Sequence, residues 1–197
     1  MRTTIFTLLF ICYSVVSFSQ EEERMRVIDA DTTWFKEIIP FPIHFAPEIK
    51  FEGYEDAQFP TGWAKQESPE FWSYIFAWNI NHTTPLSPEE LEINLQFYFD
   101  GLMKLINKDK ELVLPPTTAV FMKADVLNSG SDYAGKVKFF DAFHTKKIIH
   151  LNVLVNYHFC QEQKKSIIVF RFSPQKFDAT IWDILKAVSL RVNACKL

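Results

Sequence analysis

Acid-base or nucleophilic chemistry needs ionisable side chains held at a fixed spacing, and few segments of this 197-residue chain offer that. The run Phe139-Phe140-Asp141-Ala142-Phe143-His144-Thr145 sets a carboxylate and an imidazole three residues apart. A carboxylate beside an imidazole raises its pKa and orients it as a base. That makes Asp141 and His144 the candidate catalytic pair. Both are also ordinary hairpin residues, with the aspartate bonding local backbone amides. The chain has no GxSxG, HExxH or CxxC to add a nucleophile, a metal or a redox couple.

Three further groups are candidates for binding. Ile149, Leu151, Val153, Val155, Tyr157 and Phe159 alternate with His150, Asn152, Leu154, Asn156 and His158, so one strand face is apolar and the other is rich in imidazoles and amides. The polar face offers His150 and Asn152 to a ligand, and it also fits the solvated side of an antiparallel sheet. Eight residues of strand separate His150 from His158 by about 26 Å, which excludes a shared metal. Trp72, Tyr74, Phe76 and Trp78 form an aromatic stripe, with Trp34 and Trp63 upstream. Such a stripe can line a pocket for an apolar or sugar-like ligand, or it can be core. Cys160 and Cys195 suit a structural disulfide in an exported chain; two separate buried thiols or a nucleophile are the alternatives. Asn81-His82-Thr83 matches a glycosylation sequon.

These residues need elements to position them. Phe71 to Ile80 reads as a strand by its period of two. Ser87-Pro88-Glu89-Glu90 is a helix start, with serine as N-cap, proline first in the helix and glutamate three residues after the cap. Leu91, Leu95, Phe99 (or Tyr98), Leu102 and Ile106 carry that helix to about Asn107. Strands follow at about 117–127, 134–143, 147–160 and 165–173, joined by short turns as an antiparallel meander. Ile181, Leu185, Val188 and Val192 place a second amphipathic helix over 178–193. Pro40, Pro42, Pro47 and Pro60 assign 34–62 to edge structure and loops. The fold class is α+β: an early strand plus a four-strand meander, packed with two amphipathic helices.

Met1-Arg2, the apolar run Ile5 to Phe18 and Ser17-Phe18-Ser19 have the anatomy of a secretory signal peptide over 1–19. Residues 20–33 read as a charged lead-in, mobile or briefly helical, and 34–197 as one α+β domain. No later stretch is long and apolar enough to span a bilayer as a helix. The formal net charge of −3 speaks against nucleic acid as a partner. The five glycines are too scattered for a phosphate loop, which argues against P-loop and Rossmann nucleotide enzymes; no cofactor is expected.

The layout resembles the Mog1/PsbP-like fold, through Phe59-Pro60-Thr61-Gly62-Trp63, the inserted helix at 88–107, the meander, and a closing helix after Phe172-Ser173-Pro174. The resemblance covers about 55–193 and implies an accessory or binding protein with no active site. A cystatin- or NTF2-like sheet wrapped on a helix fits the same layout. The expectation is therefore an exported, soluble binding or accessory protein of the periplasm or the extracellular space. The alternative is a secreted hydrolase using Asp141 and His144.

Overall fold

The computed structural model describes residues 23–108, 112–124 and 130–197. The signal-peptide assignment lies outside these residues. The elements in chain order are β1 (Ile28–Asp29), β2 (Phe35–Pro40), β3 (Gly53–Phe59), β4 (Tyr74–Ile80), α1 (Pro88–Asn107), β5 (Thr118–Lys123), β6 (Tyr133–Phe140), β7 (Ile148–Cys160), β8 (Lys165–Ser173), α2 (Ile181–Ala187) and β9 (Ser189–Leu190). Seven strands form one antiparallel sheet in the order β2-β3-β4-β8-β7-β6-β5. This is an α+β fold, and the meander is β5 to β8.

The helix start in the sequence is realised in full. Ser87 Oγ accepts the Glu90 amide at 3.2 Å, and Glu90 Oε2 accepts the Ser87 amide at 2.8 Å. Two otherwise orphaned donors are thereby satisfied. The helix lays Leu91, Leu95, Tyr98, Phe99 and Met103 on one face of the sheet. That face is built from rings: Tyr74 stacks on Phe172 at 4.8 Å, and Phe76 packs on Phe170 at 4.8 Å. Gly101 lets the 41–46 loop touch α1, because a Cβ there would stand 1.8 Å from the Phe45 carbonyl oxygen.

The other face carries a separate core under α2, with Ile75, Val169, Leu154 and Trp182 buried together. The outward side of β7 is therefore only partly solvated. Leu154 is covered by this second core, while His150 and His158 are exposed. Cys160 and Cys195 join here, with sulfurs 1.98 Å and Cα atoms 5.3 Å apart.

Several boundaries differ from the sequence reading. The last helix stops at Ala187 rather than running to 193. Arg171 explains the stop: its Nε donates to the Leu185 carbonyl at 2.8 Å and its Nη2 to the Val188 carbonyl at 2.9 Å. Val188 turns extended and β9 pairs with β1, which leaves Val192 fully exposed instead of in the stripe. The lead-in is briefly helical at 23–25 and docked on β3 from residue 26 onward. Asp56 Oδ2 accepts the amides of Val27 and Ile28 at 2.9 and 3.1 Å, and Asp56 Oδ1 pairs with Arg26 at 3.0 Å. The first strand of the aromatic stripe begins at Tyr74, since Trp72 takes a left-handed φ of 52° that no strand residue adopts. Within 34–62, β2 is the expected edge, but β3 is an interior strand between β2 and β4.

Candidate functional site

A cavity of about 440 Å³ opens between the edge strand β2 and the C-terminal half of α1. Its floor is the end of the aromatic face. Register sets Phe35 opposite Phe59, and Phe59 stacks on Tyr74 with centroids 5.3 Å apart. Tyr98, Leu102 and Leu105 of α1 form one wall, and His44 and Phe45 of the 41–46 loop form another. Trp63, Trp72 and Phe143 close the far end. The lining is mostly carbon, and Glu37 and His44 are exposed at the rim. Phe35 is 59% exposed and Leu105 40%, so the mouth itself is apolar.

The far end is held by the loop between β3 and β4. The Trp72 amide donates to the Trp63 carbonyl at 2.9 Å, and Glu70 Oε2 accepts the Gly62 amide at 2.7 Å. A bulky residue at φ 52° is costly, by about 1–3 kcal/mol, and persists only where its surroundings impose it. Here the turn delivers the Trp72 indole against Phe139 and Phe143, at 5.1 and 5.8 Å.

One row deeper, β3 places Glu55 on the same face, fully buried. Tyr98 donates its hydroxyl proton to Glu55 Oε1 at 2.8 Å, and Trp78 Nε1 donates to Oε2 at 2.8 Å. Burial pushes this carboxyl up to about 8; the two hydrogen bonds pull it down, and nearby Glu37 and Asp56 push it further up. At neutral pH Glu55 therefore holds its proton. The Tyr98 ring separates it from the cavity, and burial also raises the Tyr98 and Tyr74 hydroxyls well above their ordinary range.

The structure distributes the sequence candidates as follows. Trp72 and Tyr74 line the cavity, whereas Trp78 is buried behind it and serves Glu55. His150 and Asn152 sit on the opposite side of the sheet, where the Asn152 amide donates to the Gln175 carbonyl at 2.9 Å. Asp141 is wholly buried, and its carboxylate accepts the amides of Phe143, His144 and Thr145 at 2.9, 3.0 and 2.7 Å, plus the Thr145 hydroxyl at 2.8 Å. Burial alone would raise its pKa, but these bonds outweigh burial and the net shift is downward. Asp141 thus holds the hairpin turn and meets His144 through the backbone. The His144 imidazole lies among Trp63, Phe71 and Trp72, with centroids at 5.6, 5.7 and 6.0 Å. His158 lies beside Cys160 and Cys195, but two sulfurs bonded to each other leave no thiolate for a metal. Asn81 is exposed, as a glycosylation acceptor needs to be.

Sequence reasoning named Trp63, Trp72 and Tyr74 but missed Glu55 and the parts of the cavity supplied by β2, the 41–46 loop, α1 and Phe143. A signal for Glu55 exists. Glu55 and Asp56 are adjacent in a strand, so they must point to opposite faces. In an interior strand covered on both sides, both must then be buried. The lining comes from six separate stretches, 35–40, 44–45, 59–63, 72–74, 98–105 and 143, and these have no shared local signature.

No protein-family model matches the chain, and neither the curated proteins nor the solved structures contain a match to it.

Proposed function

We propose that this chain is an exported binding protein that holds one small, largely apolar group of a ligand in the cavity between β2 and α1. The observation that carries the reading is the cavity itself: about 440 Å³, walled by rings and aliphatic side chains, with an apolar mouth. That volume and composition suit a small-molecule site. A sugar needs several polar partners along its edge, and Glu37 and His44 at the rim are few for that purpose. The Cys160–Cys195 pair and the leader-like first nineteen residues support an oxidising, exported setting. Binding is favoured over hydrolysis because the Asp141 carboxylate is occupied by the turn it holds and bonds the His144 backbone amide.

The test is a titration with the neutral dye N-phenylnaphthylamine, following dye emission and the quenching of tryptophan. Trp63 and Trp72 line the site and report directly on occupancy. The expected result is saturable binding at one dye per chain. Leu102→Trp, which fills the cavity from α1, should weaken it at least tenfold with the thermal midpoint preserved. Non-saturable binding, or equal binding by the filled variant, would overturn the reading.

A further inference from the structure

The two edges of the sheet are finished differently. At β5, the helix α1 covers the edge: Glu92 Oε1 accepts the Phe121 amide at 2.8 Å, and Asp100 Oδ1 accepts the Thr117 amide, just before the strand, at 2.7 Å. Backbone donors that would recruit another strand are thereby used. At β2 no strand among the described residues pairs with the outer side. The Phe41 amide donates to the Gly53 carbonyl at 3.0 Å, which sets the phase of the ladder. Antiparallel alternation then turns the amides of Phe35, Glu37 and Ile39 toward β3, and those of Lys36 and Ile38 outward. Pro40 occupies the next outward position and has no amide to offer. The cavity runs along this same strand, from Phe35 to Pro40.

We infer that the outer edge of β2 and the adjoining cavity together receive an extended peptide, which adds as a further strand and drops one bulky apolar side chain into the cavity. The inference rests on the reading of that cavity as a binding site and names its ligand class. Strand addition takes affinity from main-chain hydrogen bonds and specificity from side-chain pockets beside the edge. Lys36 and Ile38 supply the main-chain donors and acceptors, and the aromatic cavity supplies the pocket. Glu37, exposed on the cavity side, favours a basic residue beside the apolar one.

A second copy of this chain fits less well. The two-fold pairing that uses every outward amide sets Lys36 against Ile38 of the other copy and places Glu37 directly opposite its own counterpart. Like charges directly opposite destabilise a strand pair. The register centred on Ile38 instead faces Lys36 with Pro40 and forfeits the bonds that an amide at Pro40 would make.

The experiment uses the blocked heptapeptide Thr-Lys-Thr-Phe-Thr-Lys-Thr, the same peptide with alanine for phenylalanine, and two N-methylated forms whose methyl groups fall on alternate amides. Binding is read by tryptophan emission and by displacement of N-phenylnaphthylamine. The phenylalanine peptide should bind at least tenfold tighter than the alanine one. One N-methylated form should lose at least tenfold and the other should change little, because only alternate amides face β2. Lys36→Pro removes an outward amide in the row where Pro40 already sits, so β2 keeps its bonds to β3. It should weaken the peptide at least tenfold and leave dye affinity within twofold. Dye binding without peptide binding, or peptide binding indifferent to both Lys36→Pro and methylation phase, overturns the inference while the cavity reading stands. Failure of the dye itself removes both. A dimer in sedimentation that Lys36→Pro dissolves assigns the edge to a second copy and also overturns it.

Discussion

Glu55 and Asp56 are neighbours on β3, both fully buried, and they point into opposite cores. Asp56 faces the α2 side, where Arg26 pairs with it and the amides of Val27 and Ile28 bond to it. Glu55 faces the α1 side, where it receives only the neutral donors Tyr98 and Trp78. A buried carboxyl that meets only neutral donors takes up a proton more readily, and Glu55 is raised for that reason. The α2 side is thus tied by charge and by a disulfide, while the α1 side is an aromatic layer with a hollow at its end. The tied side anchors the two ends of the described chain, and the hollow side is the one that the proposed reading assigns to a ligand.

Three substitutions sharpen this contrast. Asp56→Ala removes the carboxylate facing Arg26 and the acceptor of two backbone amides. Breaking a buried ion pair from one side costs about 3–5 kcal/mol. Urea unfolding should show a loss of that size, and a loss below about 1 kcal/mol would mean that the lead-in contributes little to the fold. Cys160→Ser opens a cross-link spanning a sequence separation of 35. The chain-entropy relation gives a loss of about 3–4 kcal/mol. Adding Cys195→Ser should cost no more, and thermal melts with and without reductant check this.

Glu55→Gln gives the smallest effect, and it depends on pH. The carboxyl is raised from 4.5 to about 8 in the folded state. Its contribution is full below about pH 4.5 and is lost as pH rises through about 8. The native protein should lose about 2–3 kcal/mol between pH 6 and pH 9 from this group, at about 1.4 kcal/mol per unit. The glutamine variant should lack that slope, and an unchanged slope would mean that Glu55 is ionised in the fold.

Local chemistry in the sequence made some of this legible. The Ser87–Glu90 capping box and its apolar stripe set α1 at 88–107, and the charged turns around 161–164 set β8 at 165–173. Cys160 and Cys195 were paired through compartment and count. What was illegible depends on distant partners. Nothing near Val188 announces that Arg171 will hold the helix end or that β1, some 160 residues earlier, will claim Leu190. The stripe from Trp72 was half right for the site, because Trp72 and Tyr74 reach the cavity while Trp78 is drawn away to Glu55. Asp141 and His144 were placed at the correct turn, but sequence spacing does not show whether a carboxylate meets an imidazole or its backbone amide.

The most direct test of a receptive α1 side is amide NMR during titration with N-phenylnaphthylamine. A second exposed apolar patch among the described residues is the natural control: Val120 and Met122, each 60% exposed, lie with Phe177 along β5. The account predicts saturating shifts in β2, the 41–46 loop, the stretch from Trp63 to Trp72, and the Tyr98–Leu105 part of α1, with the Trp63 and Trp72 indoles moving most. Shifts centred instead on Val120, Met122 and Phe177, with the Trp63 and Trp72 indoles unmoved, would contradict it.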